Sequence, residues 1–211
     1  MKACVTGGPD KLFGRAGFQT SHVADAADEL GISIVGGSGG FRYCGPSGGC
    51  TFGPAFTLQQ GEARGTLARH GEVVKELAEE GDVIVIGVEP GLNVATWGLA
   101  WSFRAKAKGI SAIFIDGPLR DSASLAEAAL PVMYRSTSPF RSTGRLSTTS
   151  IATSVTIGDA VIRQGDVIFI DADGFVCIPA KHATAICQQA ELIAVREELR
   201  DEELKRAAGL S

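Results

Sequence analysis

Cysteine is scarce in this chain and badly placed for cross-linking: Cys4, Cys44, Cys50, Cys177 and Cys187 are odd in number and never spaced as Cys-x-x-Cys. That pattern argues against a disulfide framework and a zinc cage, and makes a reducing cytosol the expected compartment. Histidine is scarcer. His22, His70 and His182 lie far apart with no His-x-x-x-His spacing, and each reads as an exposed helix residue. No block of Lys or Arg interrupts a net charge of -4, so the electrostatic footprint of a nucleic-acid binder is missing. No apolar run approaches the roughly 18 residues of a membrane span. The opening MKACVTGGPD also lacks the apolar core of a signal peptide. The expectation is a cytoplasmic protein that engages neither nucleic acid nor membrane. Catalytic signatures are missing too. There is no Gly-x-Ser-x-Gly elbow, no strand, Gly-x-Gly-x-x-Gly, helix order, and no Gly-Lys-Ser/Thr ending to a phosphate loop. Cys44 or Cys50 acting as a nucleophile would need a base that the sequence does not single out.

What is present is a globular composition of 45% hydrophobic residues with 27 glycines in 211 residues, which fits one domain spanning 1–211. Thr20 to Leu30 places Val23, Ala26, Ala27 and Leu30 on one face of a short helix. Gly36 to Gly49 reads as a flexible loop or lid. Cys50 to Leu58 reads as a strand whose Gly53-Pro54 suggests an edge or a bulge. Glu62 to Glu80 is helical by pattern and ends at Gly81. Asp82 to Val88 is an apolar strand buried on both faces. A helix from about Ala95 to Gly109 follows, then a short helix from Leu125 to Leu130 and a strand from Pro131 to Ser138. The hydroxyl-rich 136–154 reads as strands and turns, ahead of three β segments near 154–157, 167–171 and 175–178. Ala180 to Ala208 is helical, and at 1.5 Å per residue it would be about 40 Å long, enough for its far end to reach a neighbouring subunit.

The segment IFIDGPLRD, Ile113 to Asp121, carries the chemistry. On the dipeptide alone, Arg120 and Asp121 read as an ordinary surface ion pair. Their position changes the reading: a buried strand, reached by a crossover helix, delivers both to a sheet edge beside that helix's start. A guanidinium fork suits a carboxylate, a neighbouring carboxylate suits a hard divalent cation, and helix-start amides favour anions.

Taken in order, several stretches carry a resemblance: TSHVADAADELG (20–31), GPAFTLQ (53–59), EEGDVIVIG (79–87), Trp97-Gly98, KGISAIFIDGPLRD (108–121), ALPVMYRSTSP (129–139) and QGDVIFIDADGFVCIP (164–179). The chain resembles the RraA-like family, which includes the 4-hydroxy-4-methyl-2-oxoglutarate / 4-carboxy-4-hydroxy-2-oxoadipate aldolases and the regulators of ribonuclease E activity. The resemblance implies an α/β protein of the β/β/α swivelling-domain (RraA-like) fold with a long C-terminal helix, assembled as a homotrimer or dimer of trimers (a homohexamer). It implies a metal-dependent lyase of the class II pyruvate aldolase type. Such an enzyme releases pyruvate enolate from a short 2-oxo acid substrate, by retro-aldol cleavage or by decarboxylation of oxaloacetate. A non-catalytic, protein-binding regulator of ribonuclease activity is the alternative.

Carried over residue by residue, the resemblance places the divalent metal cation, Mg2+ or Mn2+, on Asp121 and the substrate's pyruvate portion on Arg120. The backbone amides of Gly98, Leu99, Ala100 and Trp101, 22 positions earlier, would hold the same end. Acidic residues from an adjacent subunit find their nearest matches in Asp25 and Glu197. The chain departs from the aldolase pattern at Ser124, where an acidic residue is expected, and at Leu99, where Glu is common.

Overall fold

The computed structural model describes residues 12–65 and 67–210; Cys4 and the reading of the first ten residues lie outside them. The chain opens with β1 (Gly14–Arg15), α1 (Thr20–Glu29), β2 (Val35–Gly37), β3 (Arg42–Cys44) and β4 (Thr51–Glu62). It continues through α2 (His70–Glu72), β5 (Val83–Val88), α3 (Leu99–Ala107), β6 (Ala112–Leu119), β7 (Val132–Thr137) and β8 (Leu146–Ile151). It closes with β9 (Val155–Ile157), β10 (Ala160–Ile162), β11 (Val167–Ile170), β12 (Phe175–Ile178) and α4 (Ala183–Ala207).

The expected crossover is there. β4, β5, β6 and β7 lie side by side and all parallel, with β5 and β6 joined through α3. Every residue of β5 is buried, as its unbroken VIVIGV run requires of a strand covered on both faces. One core cluster packs α3 and the helical turns of 70–78 on the parallel strands, around Ile84, Ile113 and Trp97. A second lies under α1 and α4, around Phe52, Phe169 and Ile186. A third, around Phe114 and Phe175, is covered by the β9–β10 hairpin.

Three expectations are overturned by long-range pairing. Residues 50–58 are no edge: they begin a 12-residue interior strand. β4 lies between β1 and β11 over its first part and between β5 and β8 over its second. Pro54 falls where β4 leaves β1 and meets β5, so its missing N–H interrupts neither ladder. The Gly-rich stretch is not a loose lid, because β2 pairs with β12 and β3 with β7. The helix expected from Glu62 to Glu80 shrinks to α2 and one π-helical turn, Val73–Leu77, and Glu62 belongs instead to β4, paired with Leu146 of β8.

α4 matches its expected length, and at 1.5 Å per residue it spans about 37 Å. Its last buried residue is Ile193. Beyond it Arg196 reaches Glu29 and Glu197 reaches His22, but Val195, Leu199 and Leu204 are exposed.

Candidate functional site

Asp121 follows the end of β6 with φ of 62°, in the left-handed region where Asp is among the few non-glycine residues tolerated. This backbone setting turns its carboxylate toward the start of α3. The Leu99 amide donates to Oδ2 of Asp121 at 3.2 Å, satisfying one of the donors that a helix start leaves without an intrahelical acceptor. Gly98 caps that helix, and a β-carbon there would stand 2.7 Å from the same oxygen and 3.0 Å from Cγ of Arg120. Only glycine permits the approach. The two segments are laced together by the backbone: Thr96 N donates to Pro118 O and Arg120 N to Trp97 O, both at 3.0 Å. Trp97, buried, anchors the turn by donating from its indole to Ser102 Oγ at 3.0 Å.

Arg120 and Asp121 are both exposed and lie 3.7 Å apart at their closest charged atoms. They open onto a cavity of about 490 Å³ whose walls also include Gly98, Ala100 and Trp101. The expected site residues therefore converge; Leu99 contributes its amide to Asp121 rather than a wall. Ser124 sits one turn beyond, its amide donating to Asp121 O at 3.0 Å, and takes no part in the lining. Asp25 and Glu197 lie elsewhere in the same protomer, on α1 and α4. Glu197 bonds His22 at 3.0 Å and Arg200 at 2.9 Å, and these two partners, His22 foremost, hold its carboxyl below the usual range.

The cavity contains residues the sequence did not single out. Arg104 stacks over the Trp101 ring at 4.6 Å, and Arg141 enters from the loop after β7. Among the described residues neither has a carboxylate partner, so the walls carry three guanidiniums against one carboxylate. The Trp101/Arg104 spacing of i, i+3 was a readable cation–π signal; nothing local marked Arg141. His70 also lines the cavity, and it is not the exposed helix residue expected: it is 6% exposed, while His22 and His182 are half-buried. Its ring meets Trp101 edge to face at 5.0 Å, and burial lowers its pKa to about 4.

Among the described residues no group of three or more His, Cys, Asp or Glu is gathered that could hold a metal. The donor set does suit a hard, hydrated cation. Mg2+ commonly takes one or two carboxylates and keeps several waters, and Oδ1 of Asp121 has no hydrogen-bond partner among the described residues, since Leu99 and Arg120 both meet Oδ2.

A cationic cavity at the C-terminal end of a parallel strand, beside a helix start, has the charge and the placement that suit an anion in an α/β protein. The sequence profile of the RraA-like family, described as Aldolase/RraA, matches residues 20–177, and the chain belongs to that family. It is 30% identical over 151 residues to a protein of Halalkalibacterium halodurans named "Putative 4-hydroxy-4-methyl-2-oxoglutarate aldolase", covering 71% of this chain and 69% of that one. It is 26% identical over 183 residues to protein DlpA of Legionella pneumophila, covering 85% of this chain but 29% of DlpA. Among solved structures it superimposes on RraAS2 of Streptomyces coelicolor, described as an unusual member of the RNase ES inhibitor RraA family. That match has a TM-score of 0.71 and 27% identity, over 87% of this chain and 91% of the other. The expected RraA-like fold with a long C-terminal helix is thus the observed one, built as a mixed sheet with helices.

Proposed function

We propose that this protein is a divalent-metal-dependent carbon–carbon lyase acting on a short 2-oxo acid. The reactions are retro-aldol cleavage of a 4-hydroxy-2-oxo acid or decarboxylation of oxaloacetate, both of which release pyruvate enolate. The observation that carries the reading is the convergence of Arg120, Asp121 and the α3 start on one cavity. Family membership beside a relative named as an aldolase supports it.

Asp121 would hold Mg2+ or Mn2+, which when bound supplies Lewis acidity toward the keto oxygen. Arg120 grips the substrate carboxylate through its planar fork and shares the negative charge that develops as the carbon–carbon bond breaks. The α3 amides add a fixed dipole to the same end. Trp97 and Trp101 shield one wall from water, strengthening each of these interactions. No lysine is needed as an electron sink. Assembly into a trimer or dimer of trimers is part of the proposal, supported by the apolar residues that α4 leaves uncovered past Ile193. That assembly would bring Asp25 and Glu197 of a neighbour toward the cavity.

Pyruvate release from oxaloacetate, followed with magnesium and with chelator in wild type and Asp121→Ala, tests the reading. Turnover in the wild type that is abolished by chelator and by the substitution is expected; equal rates in all cases overturn it. The ribonuclease-regulator reading is favoured by one finding, the likeness to an RNase ES inhibitor family member. A stable ribonuclease complex without metal-dependent turnover would select it.

A further inference from the structure

His70 is held by a buried chain that ends at the cavity. The Thr96 hydroxyl donates to Oε1 of Gln60, and Nε2 of Gln60 lies 3.3 Å from Nδ1 of His70. All three side chains are buried, Gln60 completely. Because Oε1 is engaged by Thr96, the Gln60 amide presents its N–H to His70, and Nδ1 must accept. The ring proton is then on Nε2. That atom has no hydrogen-bond partner among the described residues, yet no buried side-chain nitrogen or oxygen among them lacks one. Nε2 is therefore the atom through which the ring opens, and the space it meets is the cavity that His70 lines. His70 arrives from the β4–β5 connection, whereas Arg120 and Asp121 arrive from the end of β6. The imidazole is pinned between Trp101 and Trp97, with ring centroids 5.0 and 6.3 Å away.

We propose that His70 is a substrate-binding residue that donates a hydrogen bond from a neutral Nε2–H to an oxygen of the bound oxo acid, its tautomer set by Gln60 and Thr96. This deepens the lyase reading and rests on it for the ligand class. The donor keeps its proton and adds no charge to a cavity already rich in guanidinium. Burial, which holds the ring's pKa near 4, keeps the donor neutral over the physiological range.

The test uses the full-length protein labelled with 15N-histidine, with pyruvate and magnesium as the probe. Long-range proton–nitrogen spectra at pH 7 should show His70 as the Nε2–H tautomer, and pyruvate should shift the Nε2 resonance. Calorimetry should give about tenfold weaker pyruvate binding for His70→Phe, the worth of one hydrogen bond. His70→Gln, which retains an N–H near that position, should recover most of the loss. Gln60→Glu should move the ring proton from Nε2 to Nδ1, since a carboxylate accepts from Nδ1–H, and should weaken binding as His70→Phe does while circular dichroism stays unchanged. The proposal is overturned by an Nδ1–H tautomer in the wild type, by an Nε2 resonance indifferent to pyruvate, by absence of pyruvate binding, or by wild-type affinity in His70→Phe. Turnover decides the other question separately: pyruvate bound through His70 without any cleavage of oxaloacetate sinks the lyase reading and leaves this one standing.

Discussion

Gly98 and Asp121 approach so closely that a β-carbon on the first would stand 2.7 Å from a carboxylate oxygen of the second. Gly98 has an extended φ of -172°, which any residue adopts, so the requirement for glycine is one of space and not of backbone. Gly98→Ala should fold, with Asp121 pushed off the Leu99 amide. Magnesium affinity or pyruvate release should fall by about 10- to 100-fold, as when the orientation of a metal ligand is lost. Kinetics with magnesium titration would read it, and an unchanged variant would show that the contact is incidental.

Asp121 separates chemistry from backbone. Asp121→Gly and Asp121→Ala both remove the carboxylate, so both should lose metal-dependent turnover. They differ at φ of 62°, which glycine adopts freely and alanine does not. The alanine variant should therefore be less stable than the glycine variant by about 1 kcal/mol. Equal melting temperatures would argue against a strained residue.

The buried His70 imposes a pH dependence on stability. Its folded pKa is lowered to about 4 from 6.5 because burial disfavours the imidazolium. Below about pH 6.5 the unfolded chain takes up a proton that the folded chain refuses, so stability is fully present above that pH. It declines as pH falls toward 4, by up to about 1.4 kcal/mol per unit. Denaturant melts between pH 7 and 4.5 should show this slope in the wild type and a shallower one in His70→Gln. Parallel curves would remove His70 as the source.

Ser124 marks where the chain departs from the aldolase pattern. It stands at the end of the turn whose first residue is Asp121. Ser124→Asp should tighten magnesium binding by about tenfold if an acid there orients the cation's waters. Isothermal titration of magnesium into both proteins would decide, and identical affinities would mean that Ser124 already suffices.

The distal part of α4 should matter for assembly and not for the fold of the protomer. Leu199→Glu with Leu204→Glu places charge on two side chains that are 62% and 59% exposed in the protomer. The fold should persist while the mass measured by light scattering drops. A mass equal to the wild type's would show that this part of the helix is solvated.

The parallel core and the meeting of the candidate residues at one strand end were legible because their signals are local. An apolar run ending in Gly-Pro-Arg-Asp, preceded by a helix, already states that a crossover delivers Arg120 and Asp121 to a strand end. α1 and α4 declared themselves by period. What escaped was decided by distant partners. The strand read as ending at Leu58 runs on to Glu62 because β8 pairs with 58–62 from 146–151, and His70 heads a short turn instead of lying inside a long helix. Gly36 and Gly37 are strand because β12 comes alongside, the carbonyl of Phe175 standing 2.6 Å from where a Gly36 β-carbon would be. Arg141 belongs to the cavity only through the pairing of its loop with Ala95.

β4 exchanges partners midway, and this has a consequence for how the chain acquires its structure. Thr51 pairs with Ile170 and Leu58 with Ile151, so the two halves of one strand wait for segments made about a hundred residues later. Pairings of such long range carry a large loop-closure cost and fold slowly. Because β4 contributes Leu58 to one core cluster and Phe52 to another, neither is complete before the strand is covered on both sides. During synthesis, Thr51 to Glu62 thus keeps one side unpaired, and open to misassociation, until β8 and β11 have emerged.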